Sequence, residues 1–351
     1  MTAAPGGAPR ILVYGAGAVG QFVGGALARA GHDVTLLARP ALRAALARQP
    51  LLIEQPDGSR DAVRLSAVDA LDSLAASPAL VILTVKAYDT AGALPDLERL
   101  ARGGAPVLTL QNGVGNEEAL AAALGAAAVR SGAFTISVSA PEPGRVARHT
   151  RKGGFGFAPL AGEAQDVAPL AALFASTGLP VATARSHRVL KWSKLLLNLL
   201  ANAQSALLDL PPAALFADPA TFRAERRAFR EARAVMRAAG IGLVDLPAYP
   251  VRALAAAMAL PAPLARAILA RRVGGGRGTK MPSLWLDLTA GKGRTEVPWL
   301  NGAVARAGER RGVPTPVNSA LARLLAEVSA APAEWQQFRG RPERLLAALR
   351  G

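Results

Sequence analysis

The sequence contains no cysteine and only three histidines, and both scarcities restrict its chemistry. Without cysteine there are no disulfides, no thiolate nucleophiles and no cysteine-based zinc sites. The histidines, His32, His149 and His187, lie far apart along the chain, which argues against a histidine-built metal site or a Ser-His-Asp triad. We therefore expect no metal.

Long hydrophobic runs are also missing. No stretch reaches the roughly 18 apolar residues that a membrane helix needs, and the most apolar one, residues 195–208, contains Asn198, Asn202, Gln204 and Ser205. The residues before the first predicted strand lack the apolar core of a signal peptide. These features predict a cytoplasmic protein with no membrane partner.

Lysine is scarce although the chain is strongly basic. The formal net charge is +16, yet of 41 basic residues only six are lysines, namely Lys86, Lys152, Lys191, Lys194, Lys280 and Lys292. The arginines are scattered through alanine-rich stretches without interleaved aromatic residues, so we expect no nucleic-acid partner, although a nucleic-acid binder stays an alternative. Because arginine keeps its proton, each lysine is a candidate for proton transfer.

A glycine-rich turn near the N-terminus follows a predicted strand, residues 10–14, and precedes an alanine-rich helical pattern. It reads Gly15-Ala16-Gly17-Ala18-Val19-Gly20. The first glycine permits the tight turn, the second lets the backbone approach a pyrophosphate, and the third lets helix and strand pack closely. With a second strand at 33–37, the pattern predicts a dinucleotide-binding Rossmann domain.

The residue at the end of the second strand indicates which cofactor is preferred. An acidic residue there would bond the ribose 2′-hydroxyl of NAD, but this chain has Arg39. A guanidinium matches a 2′-phosphate in charge and geometry, so Arg39 predicts NADP(H); a surface arginine without that role is the alternative.

Two further apolar stretches, 79–85 and 106–110, are predicted strands of the same sheet, and short strands are expected at 133–139, 145–149, 154–157 and 180–184. Lys86 and Asn112 directly follow the two apolar stretches. Ligands of doubly wound sheets lie beyond the carboxyl ends of the strands, so both residues are candidate site residues.

The second half of the chain has a helical pattern, and we place the domain boundary near residue 184. This gives an NADP-binding Rossmann domain, 1–184, and a helical substrate domain, 185–351. A single helix is predicted over 191–202, on which Lys194, Asn198 and Asn202 form a polar stripe on an otherwise apolar surface. Such a stripe indicates a wet cleft or a bound ligand, or bonds to a neighbouring loop.

Taken in order, the motifs resemble the ketopantoate reductase (2-dehydropantoate 2-reductase) family from about residue 10 to 321. The matching segments are GAGAVG (15–20), TVKAYDT (84–90), QNGVGNEE (111–118), KWSKLLLNLLAN (191–202), PSLWLDL (282–288), RTEVPWLNG (294–302) and GVPTPVN (312–318). The resemblance implies an α/β fold, with a Rossmann-type doubly wound sheet and an all-helical C-terminal domain of the 6-phosphogluconate-dehydrogenase-like type.

The resemblance also implies an activity, the NADPH-dependent reduction of ketopantoate to pantoate in pantothenate and coenzyme A biosynthesis. Lys194 matches the proton donor, and Glu296 matches an acid that holds the substrate hydroxyl and assists Lys194. Read without the resemblance, Glu296 is simply a first-turn acid of a helix. The remaining matches are to residues that bind substrate or lie beside the nicotinamide, namely Asn198, Asn202, Ser283, Asn112 and Lys86.

Some features depart from the family pattern. The turn 291–294 carries one residue more than is typical, and Lys280 stands where a polar amide is usual. The nearby residues 271–278 are more basic than a small hydroxy acid requires. The basic segment is either a solvated loop or a cover that helps to hold an anionic substrate. Alternatives are a related reductase of another 2-oxo acid, carbonyl or imine, and a non-catalytic NADPH sensor. We expect a monomer or homodimer.

Overall fold

The computed structural model describes residues 9–160, 166–274 and 280–350. The chain divides into two compact units. Unit 1 contains the residues up to Gln111, together with Asn116–Leu190 and Leu246–Tyr249. Unit 2 contains Asn112–Gly115, Lys191–Asp245 and the chain from Pro250 onwards.

Unit 1 is an α/β structure with twelve strands among its described residues. The strands are β1 Ile11–Tyr14, β2 Val34–Leu37, β3 Leu51–Glu54, β4 Arg60–Val63, β5 Ser66–Val68, β6 Leu80–Leu83, β7 Val107–Thr109, β8 Val129–Phe134, β9 Val138–Glu142, β10 Arg145–Arg148, β11 Phe155–Ala158 and β12 Val181–Thr183. The helices are α1 Ala18–Arg29, α2 Pro40–Arg48, α3 Thr90–Arg102, α4 Asn116–Leu124 and α5 Ala168–Ala175.

The main sheet has the order β12-β11-β8-β7-β6-β1-β2-β5. Strand β1 pairs in parallel with β2 on one side and β6 on the other, as in a doubly wound sheet. Alternate side chains enter two cores, because successive residues of a strand point to opposite faces. Ile11 and Val13 pack into one apolar cluster, whereas Leu12 packs into the other. Both faces are therefore covered, which explains why the central strands are apolar throughout.

A second sheet, with the order β4-β3-β10-β9, was not predicted. The expectation of one strand over 133–139 is wrong, since β8 ends at Phe134 in the main sheet and β9 begins at Val138 in the second sheet. Strands β3 and β10 pair in parallel although roughly ninety residues separate them, a long-range pairing that no local pattern shows.

Unit 2 is helical. Its helices are α6 His187–Leu199 (most of which belongs to this unit), α7 Asn202–Leu208, α8 Pro212–Ala217, α9 Pro219–Ala238, α10 Val251–Ala259, α11 Ala262–Gly274, α12 Ser283–Thr289, α13 Asn301–Glu309, α14 Pro316–Ala330 and α15 Pro342–Ala348. Among the described residues, no helix has both the length and the apolar character that crossing a bilayer requires.

The expectation of one helix over 191–202 is wrong. Helix α6 ends at Leu199, and α7 begins at Asn202 after a break at which Ala201 has a left-handed backbone, with φ of 53°. The Ala201 amide donates to the carboxylate of Glu225, a buried residue of α9, at 2.9 Å. A tertiary hydrogen bond thus stabilises a break that neither glycine nor proline marks in the sequence.

Candidate active site

The glycine-rich turn connects β1 to α1 as predicted. Gly15 has φ of 102°, and a Cβ there would lie 2.5 Å from Val85 Cγ1. A Cβ on Gly20 would lie 2.3 Å from the Gly15 carbonyl oxygen, whereas a Cβ on Gly17 would meet no atom within 4 Å. The outer two glycines are therefore required by the fold, while Gly17 keeps one surface of the turn open.

That open surface suits a pyrophosphate. Gly17 is the N-cap of α1 and offers no side chain to its first N–H groups, and the first turn of α1 holds no acidic residue. A helix N-terminus with exposed N–H groups attracts phosphate through those groups and through the helix dipole. The residues present thus fit a dinucleotide, with Gly15, Ala16, Gly17, Ala18, Val19 and Gly20 as the cradle.

Arg39 and Lys86 follow the ends of β2 and β6, the two strands that flank β1 in the main sheet of unit 1. Arg39 is exposed, follows the end of β2 after Ala38, and is the N-cap of α2. Within the part of the chain that the structure describes, its guanidinium makes no hydrogen bond or ion pair, unlike that of Arg43, which pairs with Asp69 at 3.0 Å. Lys86 is half-buried after β6, at the start of the short 3₁₀ helix Ala87–Asp89.

Helix α6 carries the polar stripe on a buried surface. From Lys191 to Leu199, every residue is buried except Lys194 and Asn198, which are one turn apart and partly exposed. Two partly exposed polar side chains on an otherwise buried segment are typical of a ligand site, because a polar group that faces the interior needs a partner.

Four of the predicted residues are joined by hydrogen bonds within unit 2. Asn198 Nδ2 donates to Asn112 Oδ1 at 3.3 Å, and Asn202 Nδ2 donates to Ser283 Oγ at 3.3 Å. The two pairs are connected because Asn202 Nδ2 also donates to the Asn198 carbonyl oxygen at 3.0 Å. The Asn202 side chain thus bridges the break between α6 and α7, so the asparagines stay together although the predicted helix is interrupted.

The segment that bears Glu296 is attached to the loop that bears Asn112. Glu296 is only 2% exposed and precedes the 3₁₀ helix Val297–Trp299. The Val114 amide donates to the Trp299 carbonyl oxygen at 3.0 Å. Gly113 has φ of 85°, and a Cβ on it would lie 2.5 Å from that same oxygen. Glycine at 113 is therefore required for this close approach.

The sequence did not predict a buried hydrogen-bond network that includes Asn301, the first residue of α13. The Glu231 carboxylate accepts hydrogen bonds from the Val317 and Asn318 amides at 3.1 and 3.0 Å, at the N-terminus of α14. Asn301 Nδ2 donates to Asn318 Oδ1 at 3.0 Å. Asn301 belongs to the matching segment 294–302, which assigns it no role of its own. Glu231 has no local signal, because its partners lie 86 and 87 residues further along the chain.

A second missed residue, Gln111, lies beside Asn112 in the predicted motif. Its Nε2 donates to the Val85 carbonyl oxygen at 3.0 Å and to Thr90 Oγ1 at 2.8 Å. It therefore ties the end of β7 to the segment around Lys86. The basic segment 271–278 was also singled out, but residues 275–279 lie outside the described residues.

The fold and the glycine turn define the class: a Rossmann-type α/β protein with a helical second unit. Residues 11–162 match the family "Ketopantoate reductase PanE/ApbA", and residues 186–329 match "Ketopantoate reductase PanE/ApbA C terminal". A 2-dehydropantoate 2-reductase of Halobacterium salinarum is 35% identical over 319 residues, which cover 90% of this chain and 97% of that protein. This chain belongs to the ketopantoate reductase family.

Solved structures of other proteins share this fold over most of the chain. A PanE/ApbA family ketopantoate reductase from Ralstonia eutropha superposes with a TM-score of 0.76 and 32% identity, covering 93% of this chain and 99% of that one. D-mandelate dehydrogenase, solved with NADH and anilino(oxo)acetate, has a TM-score of 0.77 at 22% identity, over 92% of this chain and 99% of its own. At that identity it shows a shared fold alone.

Proposed function

We propose that this protein reduces ketopantoate to pantoate with NADPH, the reductive step of pantothenate and coenzyme A biosynthesis. The observation that carries the proposal is the accessible polar stripe of α6, Lys194 and Asn198. Asn198 is joined by hydrogen bonds to Asn112 and Asn202, and Asn202 is joined in turn to Ser283. Residues 1–184 would bind the cofactor and residues 185–351 the substrate, a small 2-oxo acid.

The glycine turn would hold the pyrophosphate of NADPH, and Arg39 would bind the 2′-phosphate through charge-assisted hydrogen bonds. Lys86 would lie beside the nicotinamide. When bound, the cofactor supplies the hydride that reduces the ketone. The rest of the chemistry, which is the stabilisation and protonation of the resulting oxyanion, falls to side chains of unit 2.

Lys194 is the candidate proton donor. An ammonium group stabilises negative charge that develops on the ketone oxygen and then protonates it. Glu296 would hold the hydroxyl group that forms and assist Lys194. Ser283 would donate to the substrate carboxylate, with Asn112, Asn198 and Asn202 as further substrate-binding residues.

The first measurement is the initial rate of NADPH oxidation with ketopantoate, beside the same assay with NADH. We expect turnover that is selective for NADPH. Lys194→Ala should lower kcat by roughly 10²–10⁴-fold, the usual contribution of a positioned acid, with NADPH affinity retained. Lys194→Arg separates two roles, because it keeps the charge but does not give up a proton.

The matched control is Lys292→Ala, which removes an exposed lysine of unit 2. It should leave kcat and KM unchanged. Near-normal turnover by Lys194→Ala would refute the assignment of the acid. NADPH binding without turnover of ketopantoate or any other carbonyl would favour the non-catalytic sensor.

A second candidate function is the reduction of a larger anionic 2-oxo acid. Lys280 favours it, because this partly exposed cation lies three residues before Ser283. A panel of 2-oxo acids of increasing size, compared by kcat/KM, distinguishes the two. Preference for a larger acid that disappears in Lys280→Gln would establish the second candidate.

A further inference from the structure

Helix α7 has unusual ends. All seven of its residues, Asn202–Leu208, are buried, and the flanking residues Ala201 and Asp209 both have left-handed backbones, with φ of 53° and 54°. Such conformations cost of order 1–3 kcal/mol for residues other than glycine and persist only where the surrounding structure holds them. At the first end, Glu225 holds the backbone of Ala201 through the hydrogen bond described above. The second end depends on the side chain of Asp209.

The Asp209 carboxylate joins three segments of unit 2. Its Oδ1 accepts a hydrogen bond from Trp285 Nε1 at 2.6 Å, and its Oδ2 accepts from Arg339 Nε at 2.9 Å. Trp285 belongs to α12, two residues after Ser283. Arg339 lies between the 3₁₀ helix Pro332–Gln337 and α15. One carboxylate therefore connects the end of α7, the helix of the candidate substrate-binding serine, and the C-terminal part of the chain.

The same C-terminal part also caps α7. Trp335 Nε1 donates to the carbonyl oxygens of Ala206 and Leu207, both at 2.9 Å, and the Gly340 amide donates to the Leu208 carbonyl oxygen at 2.7 Å. The last carbonyls of a helix have no partner within the helix, so these bonds satisfy them. The Arg339 guanidinium lies 4.9 Å from the centre of the Trp335 ring, within cation–π range.

At its other end, α7 holds the start of α12. Asn202 Oδ1 accepts from the Leu284 amide at 3.1 Å, and Asn202 Nδ2 donates to Ser283 Oγ. Helices α7 and α12 are thus linked twice, through Asn202 and through Asp209. The C-terminal segment that secures Asp209 lies beyond residue 329, the last residue that matches "Ketopantoate reductase PanE/ApbA C terminal".

We propose that the C-terminal segment 332–341 is a positioning element for the substrate-binding end of the site, and that it holds Ser283 in place through Arg339, Asp209 and Trp285. This inference rests on the proposed function in one respect: Ser283 is taken to bind the substrate carboxylate. None of the three residues is a catalytic residue. Arg339 and Asp209 act on the site through Trp285, which belongs to the same helix as Ser283.

The test uses two substitutions that each remove one partner of the Asp209 carboxylate. Arg339→Ala removes the ion pair, and Trp285→Phe removes the indole donor but keeps an aromatic ring. Arg339→Lys is the conservative variant, because an ammonium can still pair with the carboxylate. The control is Arg344→Ala, an exposed arginine of α15 whose side chain has no hydrogen bond among the described residues.

Two readouts are needed. Hydrogen exchange of the amides of 283–289 reports on α12 without any substrate. Steady-state kinetics report KM for ketopantoate, KM for NADPH and kcat. We expect faster exchange in Arg339→Ala and Trp285→Phe, and a rise of about tenfold or more in KM for ketopantoate, since a displacement of ~1 Å can cost about a hundredfold. KM for NADPH should stay unchanged, and Arg339→Lys should recover most of the loss.

The double variant Arg339→Ala/Trp285→Phe should be less impaired than the product of the two single effects, because both substitutions act through one carboxylate. Unchanged exchange in both single variants would overturn the proposal, and so would faster exchange with unchanged KM. If the wild-type protein does not reduce ketopantoate, the proposed function fails. The exchange experiment then decides alone whether segment 332–341 holds α12.

Discussion

Glu225 should make the stability of unit 2 depend on pH. The residue is 3% exposed, and burial raises the pKa of its carboxyl group from 4.5 to about 7, although hydrogen bonds from the Ala201 amide and from Gln204 act in the opposite direction. The folded protein therefore keeps a proton that the unfolded chain loses between pH 4.5 and pH 7. Where the folded state binds more protons, the free energy of unfolding falls as pH rises.

The magnitude follows from the two values. At roughly 1.4 kcal/mol per pKa unit, the difference between 4.5 and about 7 lowers the free energy of unfolding by about 3 kcal/mol. This loss of stability is absent below pH 4.5 and complete above pH 7. About 2.5 kcal/mol of this loss occurs between pH 5 and pH 8. Glu225→Gln removes the titration and keeps an oxygen that can accept from the Ala201 amide. The free energy of unfolding of the variant, relative to that of the wild type, should therefore be about 2.5 kcal/mol higher at pH 8 than at pH 5.

The assay is urea unfolding at pH 5 and at pH 8, followed by tryptophan fluorescence. All four tryptophans, Trp192, Trp285, Trp299 and Trp335, belong to unit 2, so the signal reports on the unit that contains Glu225. The control is Glu327→Gln, which replaces an exposed carboxylate that pairs with Arg323 at 3.0 Å. Its difference from the wild type should stay within about 0.5 kcal/mol at both pH values. A difference between Glu225→Gln and the wild type that is the same at both pH values refutes the reasoning.

Three further predictions concern the glycines and the cofactor. Gly17→Ala should fold with an unchanged melting temperature but lose NADPH affinity in a titration, whereas Gly20→Ala should lower the melting temperature, because its Cβ would meet a backbone oxygen at 2.3 Å. Arg39→Ala should weaken NADPH binding by roughly 1.5–3 kcal/mol, the range for hydrogen bonds to charged groups, and leave NADH binding unchanged; equal losses for both cofactors would contradict it. Gly113→Ala should destabilise unit 2 by about 1–3 kcal/mol in urea, because its Cβ would lie 2.5 Å from the Trp299 carbonyl oxygen.

The part of the fold that the sequence predicts is the part whose signals are local. The stretches 79–85 and 106–110 contain β6 and β7, since strands that are covered on both faces must be apolar throughout. The second sheet was not predicted, because β4 is largely polar and exposed. One local signal was available: Asp57-Gly58 separates β3 from β4, and an Asp-Gly pair between two short strands is typical of a hairpin.

The candidate site residues stay a prediction, whereas the structure corrects the backbone that carries them. Lys194 and Asn198 share the accessible face of α6, as one helical turn requires. The break before Asn202 could not be predicted, because it depends on Glu225, which is 24 residues from Ala201. The structure nevertheless brings Asn202 beside Asn198 through a side-chain bond to the carbonyl oxygen that a continuous helix would have paired with a backbone amide.

The hydrogen bonds of Asn202 also indicate how the polar side chains divide their work. Its Nδ2 donates to both the Asn198 carbonyl oxygen and Ser283 Oγ, and its Oδ1 accepts from the Leu284 amide. An amide group has two hydrogens to donate, so both are already in use. Ser283 accepts from Asn202 and therefore keeps its own hydroxyl hydrogen for an incoming carboxylate. In the proposed function, Asn202 would therefore serve the substrate chiefly by orienting Ser283, whereas Lys194 and Asn198 lie on the accessible face of α6.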